Sequence, residues 1–234
     1  MRYLITSSLL DGYDWMMSCP KNWQDRAVKD FIAMLKRSPR PSSEACERGM
    51  EFERLVCDNC NRMDSDGFRN LVSRRYSGRL EGDALDNAVN AVCAVAETCK
   101  GGEQQVAVTN DIRVGGKDFR LFGYADVVFP DRIIDIKTTA NYKGDESYLR
   151  RSQHNVYSLC TGIRKFEYVV AVFRGKYPAE VKRVCMDIRD DEAMRDIVGR
   201  IEKVTNFIKR AGLWSDYENI FTGMHGKSAK NVIQ

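Results

Sequence analysis

No stretch of this 234-residue chain approaches the roughly 18 uninterrupted apolar residues that a membrane-spanning helix needs, which excludes a helical passage through a bilayer. The N-terminal run MRYLITSSLLDGYDWMMS holds a single arginine and is interrupted by Asp11 and Asp14, so it makes a poor secretory leader. A large excess of one charge is also missing. Lysines and arginines number 37 against 33 aspartates and glutamates, a formal net charge of +4. That is too little to gather a polyanion by bulk field, so an anionic partner must be met by a local patch. Internal repeats and low-complexity linkers are absent too, which leaves one α/β domain as the expected organisation. Among eight cysteines only Cys57 and Cys60, in CDNC, lie close together, with no second CxxC and no Cys/His pair at zinc-finger spacing. The expectation is a soluble, cytoplasmic protein with reduced, partly buried thiols.

Hydrophobic residues make up 43% of the chain, ample for a core. Helices are expected over residues 22–37, 44–60, 80–99, 145–161 and from Asp190 to Gly212, with Ser42 or Ser43 capping the second. The stretches EQQVAVTNDIRV, KDFRLFGYADVVF, RIIDIKTT, KFEYVVAVFRG and AEVKRVCMDI are rich in β-branched and aromatic residues and read as strands.

Two aspartates and a lysine interrupt the third quarter of this pattern, in GYADVVFPDRIIDIKTT. Side chains alternate along a strand, so Asp135 and Lys137 share one face while Ile134, Ile136 and Thr138 share the other. If Pro130 and Asp131 are the centre of a two-residue turn, Asp126 falls opposite Asp135, and Tyr124 opposite Lys137. Two facing carboxylates among apolar neighbours repel each other unless a cation stands between them. A divalent ion with oxygen ligands meets that need, and Lys137 meets it in part. A third carboxylate comes from EACERGMEFERLVCDNC, where Ala45, Gly49, Phe52 and Val56 define a buried helical stripe and Glu53 lies at its margin. Gly49 would let that helix approach the sheet closely. Farther on, Gln153 and Tyr157 share a helix face with Arg150 one turn before them, an amide, a phenol and a guanidinium suited to phosphate oxygens and a base edge. His154, offset by one residue, is expected to face solvent or a partner.

Taken together, GMEFE (Gly49 to Glu53), GYAD (Gly123 to Asp126), DIK (Asp135 to Lys137) and QHNVY (Gln153 to Tyr157) resemble the PD-(D/E)XK nuclease superfamily. The likeness is to its RecB-like and phage, lambda-type, exonuclease branch, whose order is GxxxE, GxxD, DxK and QxxxY. It covers roughly residues 5–175 and includes the opening SSLLDGYDWMMSCPKNW, with Ala125 where the superfamily's name has proline. The resemblance implies a restriction-endonuclease-like core, a central mixed β-sheet flanked by helices, over residues 41–213. A helical N-terminal extension over 1–40 and a C-terminal tail over 214–234 complete the expected layout.

The resemblance further implies that Glu53, Asp126, Asp135 and the carbonyl of Ile136 bind one or two Mg²⁺, or Mn²⁺. Lys137 would orient or activate the attacking water and steady charge on the phosphate, and Gln153 and Tyr157 would support the site and touch the DNA strand. The implied activity is that of a metal-dependent exodeoxyribonuclease in phage or mobile-element recombination or repair, acting on linear duplex or single-stranded DNA. Self-association and a single-strand annealing protein are further implied partners. Some relatives hold an iron-sulfur cluster on one early and three clustered late cysteines; this chain has Cys19 but only the separated Cys160 and Cys185 later, so no cluster is expected. Two alternatives stand beside this reading: a non-catalytic DNA- or partner-binding protein on the same fold, and an iron-sulfur-containing relative.

Overall fold

In the computed structural model, which describes residues 1–39 and 42–222, the strand-forming stretches assemble into one six-stranded sheet. Its strands are β1 (Arg2–Thr6), β2 (Glu103–Val114), β3 (Lys117–Val128), β4 (Arg132–Thr139), β5 (Lys165–Arg174) and β6 (Tyr177–Asp187). The order is β1-β3-β4-β5-β6, with β2 also paired to β3. β1–β3 and β4–β5 are parallel pairs and the other ladders are antiparallel. The sheet is therefore mixed, and helices cover it on two faces, as the sequence led us to expect. β2 takes one edge of β3 from Lys117 to Val128. The other edge is shared by β1, at Asp118 to Phe122, and β4, at Val127 and Val128. Between them the edge at 123–126 has no strand partner, and that interruption locates the site.

One face packs against α1 (Ser7–Ser18), α2 (Gln24–Leu35), α7 (Gln153–Thr161), α8 (Asp190–Arg210) and α9 (Trp214–Phe221). The other packs against α3 (Glu44–Cys57), α4 (Ser65–Ser77) and α5 (Gly82–Cys99). Local chemistry sets several ends. Ser43 caps α3 by accepting the Cys46 N–H at 3.2 Å, and Gly162, with φ of 76°, closes α7 in the left-handed region that glycine tolerates. α8 starts with Asp190, Asp191 and Glu192 and ends with Lys209 and Arg210, charges opposite in sign to its dipole at both ends. α4 had no counterpart among the expected helices.

Three boundaries differ from expectation. The N-terminal segment is not purely helical, because β1 joins the sheet and buries Tyr3 and Ile5. The supposed tail begins with α9, whose Tyr217 is buried and donates its hydroxyl to the Leu4 carbonyl at 2.8 Å; residues 223–234 lie outside the described residues. The single helix expected over 145–161 is broken into α6 (Glu146–Leu149) and α7. The break has a cause in α1: Asp11 Oδ1 accepts the Ser152 N–H at 2.7 Å, drawing that amide out of a continuous helical ladder. Among the described residues no helix is long and apolar enough to cross a membrane.

Candidate active site

The turn at Pro130 and Asp131 has the expected register. Phe129 N–H donates to the Arg132 carbonyl at 2.8 Å, followed by the pairs Val128–Ile133 and Val127–Ile134. The next position in that count brings Asp126 to Asp135, but the ladder stops there. Tyr124 and Lys137 are not paired: the β3–β4 ladder ends at Val127–Ile134, while β4 stays paired with β5 along its whole length, from Arg132–Lys165 to Thr139–Val172. Side chains fill the opening. Asp126 Oδ2 accepts the Ile136 N–H at 2.8 Å, and Tyr157 donates its hydroxyl to the Tyr124 carbonyl at 2.7 Å. β3 is irregular at the same point: Ala125 enters one core and Val127, two residues on, enters the other.

Gly123 makes the fit possible, since a Cβ there would overlap the Tyr157 ring. Gly123→Ala is expected to force that ring outward at a cost of about 1–3 kcal/mol, measured as a fall in melting temperature. Gly49 acts similarly on the other face. A Cβ at Gly49 would stand 2.7 Å from Thr138 Oγ1, so the bare backbone brings α3 onto β4. Phe52 and Val56 are buried as expected, whereas Ala45 is exposed, because the first turn of α3 runs past the sheet.

That approach carries Glu53 toward the strand acids. Gln105 Nε2 donates to Glu53 Oε1 at 2.8 Å and stands 3.5 Å from Asp126 Oδ1. Gln105 holds a left-handed backbone, φ of 52°, uncommon for a residue with a side chain. Its register position faces Asp126, yet this is one step of the β2–β3 ladder left unpaired. No motif pointed to Gln105; a glutamine in a strand is an ordinary surface residue until the fold places Glu53 above it. Because it fixes one Glu53 oxygen and leaves the other free, Gln105→Ala is expected to weaken divalent-ion binding about 10- to 100-fold, the usual effect of removing an outer hydrogen-bond partner. Calorimetric titration of Mn²⁺ measures it.

Asp135 is wholly buried, with 0% exposure. Gln153 Nε2 donates to its Oδ1 at 2.6 Å and also lies 3.1 Å from the Tyr157 hydroxyl. Lys137 Nζ forms an ion pair with Asp135 Oδ2 at 2.5 Å. Burial raises the Asp126 carboxyl well above its usual range, with the charges of Asp135 and Glu53 adding to the effect. Burial, then Asp135, raises Glu53. Asp135 is raised by burial against the opposing pull of Lys137. Burial works to lower Lys137, but Asp135 and Asp126 outweigh it and hold the ammonium charged.

Three hard-oxygen carboxylates with one cation among them fit a divalent ion by donor chemistry. As they lie, no three His, Cys, Asp or Glu side chains of the described residues are spaced to share one ion.

Arg150 does not join Gln153 and Tyr157. It precedes the break, its side chain is 80% exposed, and it pairs with Glu146 at 2.8 Å. His154 is buried rather than solvated, with Nδ1 3.2 Å from the Tyr168 hydroxyl, and burial lowers its pKa to about 4. Cys99, far from CDNC in the chain, joins Cys57 and Cys60 in the α3–α5 core. All eight thiols are free, and Gln104 Nε2 donates to Cys60 Sγ at 2.7 Å.

No protein-family model matches this chain, and a search of curated proteins finds no match. Solved structures do resemble it. The protein SSO0001 is 15% identical, with 88% of this chain and 77% of that one covered and a TM-score of 0.48. An alkaline exonuclease, LHK-Exo, from Laribacter hongkongensis is 14% identical, with 92% and 90% covered and a TM-score of 0.47. The same exonuclease in complex with dAMP gives 14%, 90%, 92% and 0.46. At these values the likeness is one of general architecture, and the side-chain geometry of this chain bears the functional reading.

Proposed function

We propose that this chain is a metal-dependent deoxyribonuclease that hydrolyses phosphodiester bonds, in the manner of an exonuclease of phage or mobile-element recombination and repair. The observation that supports this most directly is a charged Lys137 held on a fully buried Asp135, with Asp126 alongside and Glu53 joined to them through Gln105. A structural ion pair has no use for a second buried acid and a half-buried third, whereas phosphodiester hydrolysis needs acids to bind a cation and a cation to meet the phosphate.

Glu53, Asp126, Asp135 and the Ile136 carbonyl would hold Mg²⁺ or Mn²⁺, which supplies Lewis acidity toward the phosphate. Lys137 keeps its proton in this acidic setting and donates from Nζ, orienting the attacking water and steadying charge on the phosphate oxygens. Gln153 holds Asp135 by Oδ1 and keeps Oδ2 turned toward Lys137. Asp126 is fixed by the Ile136 amide, so the two strand acids keep their relative positions without a ligand. The partner is DNA, as linear duplex or single strand, with self-association and a single-strand annealing protein as further partners in a recombination role.

The separation of the acids as they lie favours a second reading, a protein on this fold that binds DNA or another partner without cutting. Incubation of the purified chain with linear and circular DNA, in Mg²⁺, Mn²⁺ and EDTA, decides between them. Cutting of linear DNA alone, stopped by EDTA, is the expected result. Absence of cutting with every metal would establish the second reading instead.

A further inference from the structure

Arg151 has a guanidinium beside the site and nothing there to bind. Its Nε is buried without a hydrogen-bond partner, and among the described residues it makes no ion pair, in contrast to its neighbour Arg150. A guanidinium stays charged in proteins, so it cannot relieve a missing partner by losing a proton. A buried donor atom without a partner is costly unless a ligand completes it. Asp135, whose charge Arg151 feels, is already engaged by Lys137 and Gln153. Asp11 is engaged by the Ser152 amide.

The segment that carries Arg151 is pinned on both sides. Arg200 Nη2 donates to the Arg150 carbonyl at 3.0 Å, while Ser152 donates its N–H to Asp11 at 2.7 Å and its hydroxyl to the Ser7 carbonyl at 3.2 Å. The Arg151 guanidinium lies over the Tyr148 ring, 5.3 Å from its centroid. That ring is 5.5 Å from the ring of Tyr168, which faces Asp135 across the β4–β5 ladder. Lys137 Nζ stands 6.0 Å from the same Tyr168 ring. Two cations thus flank a pair of buried tyrosines, one engaged by an acid and the other held in place with no anion.

We propose that Arg151 binds a phosphate of the DNA strand seated at the Glu53–Asp126–Asp135 site, its fork of N–H donors taking the non-bridging oxygens as Lys137 faces the acids. This rests on the nuclease reading, and a strand phosphate is the anion that reading supplies. Bidentate geometry suits a guanidinium better than an ammonium, which gives the arginine a role lysine would fill less well.

The test is binding of a fluorescently labelled DNA oligonucleotide to the full chain in EDTA, by anisotropy over a series of NaCl concentrations. Arg151→Met, which keeps an apolar stem against Tyr148, is expected to raise Kd about tenfold. It should also reduce the slope of log affinity against log salt by about 0.7–0.9, the loss of one phosphate contact. Arg151→Lys should keep the slope and lose part of the affinity, and Arg150→Ala should match wild type in both. A wild-type slope and Kd in Arg151→Met, or a lowered melting temperature with an unchanged slope, would overturn the proposal and leave Arg151 a packing residue. If the wild-type chain itself fails to bind DNA, the nuclease reading falls, and this assignment with it.

Discussion

Replacing Asp135 with alanine is expected to abolish DNA cleavage, by about 10³-fold or more, while the metal-free protein melts at the same temperature or higher. The loss of activity follows from position: Asp135 is wholly buried, held by Gln153 on Oδ1 and by Lys137 on Oδ2. The stability result follows from charge. Asp135, Asp126 and Glu53 all have carboxyls raised from their ordinary values, so their ionised forms are disfavoured in the fold. Removing one acid relieves the other two, and Lys137 retains Asp126 as a counter-charge. Against this stand the lost Gln153 hydrogen bond and a small cavity. A divalent ion at about 100 times its Kd should stabilise the wild type by about 2.7 kcal/mol, or roughly 5–10 °C for a domain of this size. Asp135→Ala should show no such shift. A variant that still cuts DNA, or that still gains the wild-type shift from Mg²⁺ or Mn²⁺, would contradict the site.

Lys137→Ala is expected to abolish cleavage to a similar extent but with the opposite effect on the metal-free fold. Its side chain is 24% exposed, and its charge offsets Asp135 first and Asp126 second. Without it three carboxylates lose the ammonium that pairs with Asp135, and Arg151 acts on Asp135 only by its charge. Breaking a buried pair in this way costs about 3 kcal/mol at most here, since the acids relieve part of the repulsion by holding protons. The melting temperature should fall by several degrees in EDTA and recover when a divalent ion replaces the lost charge. The pair of variants therefore separates a built cation site from an ordinary ion pair. A simple ion pair would lose stability from either side, whereas an excess of acid gains from one deletion and loses from the other. Differential scanning fluorimetry with and without metal reads both signs in one experiment.

The site was legible in the sequence where its geometry depends on counting. Two-residue periodicity and the Pro130–Asp131 turn suffice to place Asp126 opposite Asp135 and Lys137 on the Asp135 face, because strand pairing transmits register one residue at a time. Helical periodicity likewise put Glu53 at the edge of a buried stripe and gave Gly49 its reason, contact with Thr138. The Gln153–Tyr157 spacing of one turn was enough to put both on one helix face, where the Gln153 amide lies 3.1 Å from the Tyr157 hydroxyl.

Where periodicity was extended past a long-range contact, the expectation failed. Arg150 was aligned with Gln153 by assuming an unbroken helix, but Asp11, 141 residues earlier, takes the Ser152 amide and turns Arg150 outward and Arg151 inward. Tyr124 was set opposite Lys137 by assuming that β3 and β4 stay paired, but their ladder ends at Val127–Ile134 and the Tyr157 hydroxyl donates to the Tyr124 carbonyl instead. His154, polar and one residue off the Gln153 face, gave no sign in the sequence of its burial against Tyr168. Gln105 and Cys99 carried no local pattern at all.

Residue spacing alone settled that acids, lysine and glycines recur at intervals compatible with one strand pair and one helix, since those intervals are properties of a few consecutive bonds. Only the assembled sheet decided that β1 and β4 divide an edge of β3, that Gln105 joins Glu53 to Asp126, and that Arg151 holds a buried, unpartnered Nε near Asp135. Each of these depends on which distant segments exclude water from one another, and burial of that kind is set by the whole packed chain rather than by any stretch of it.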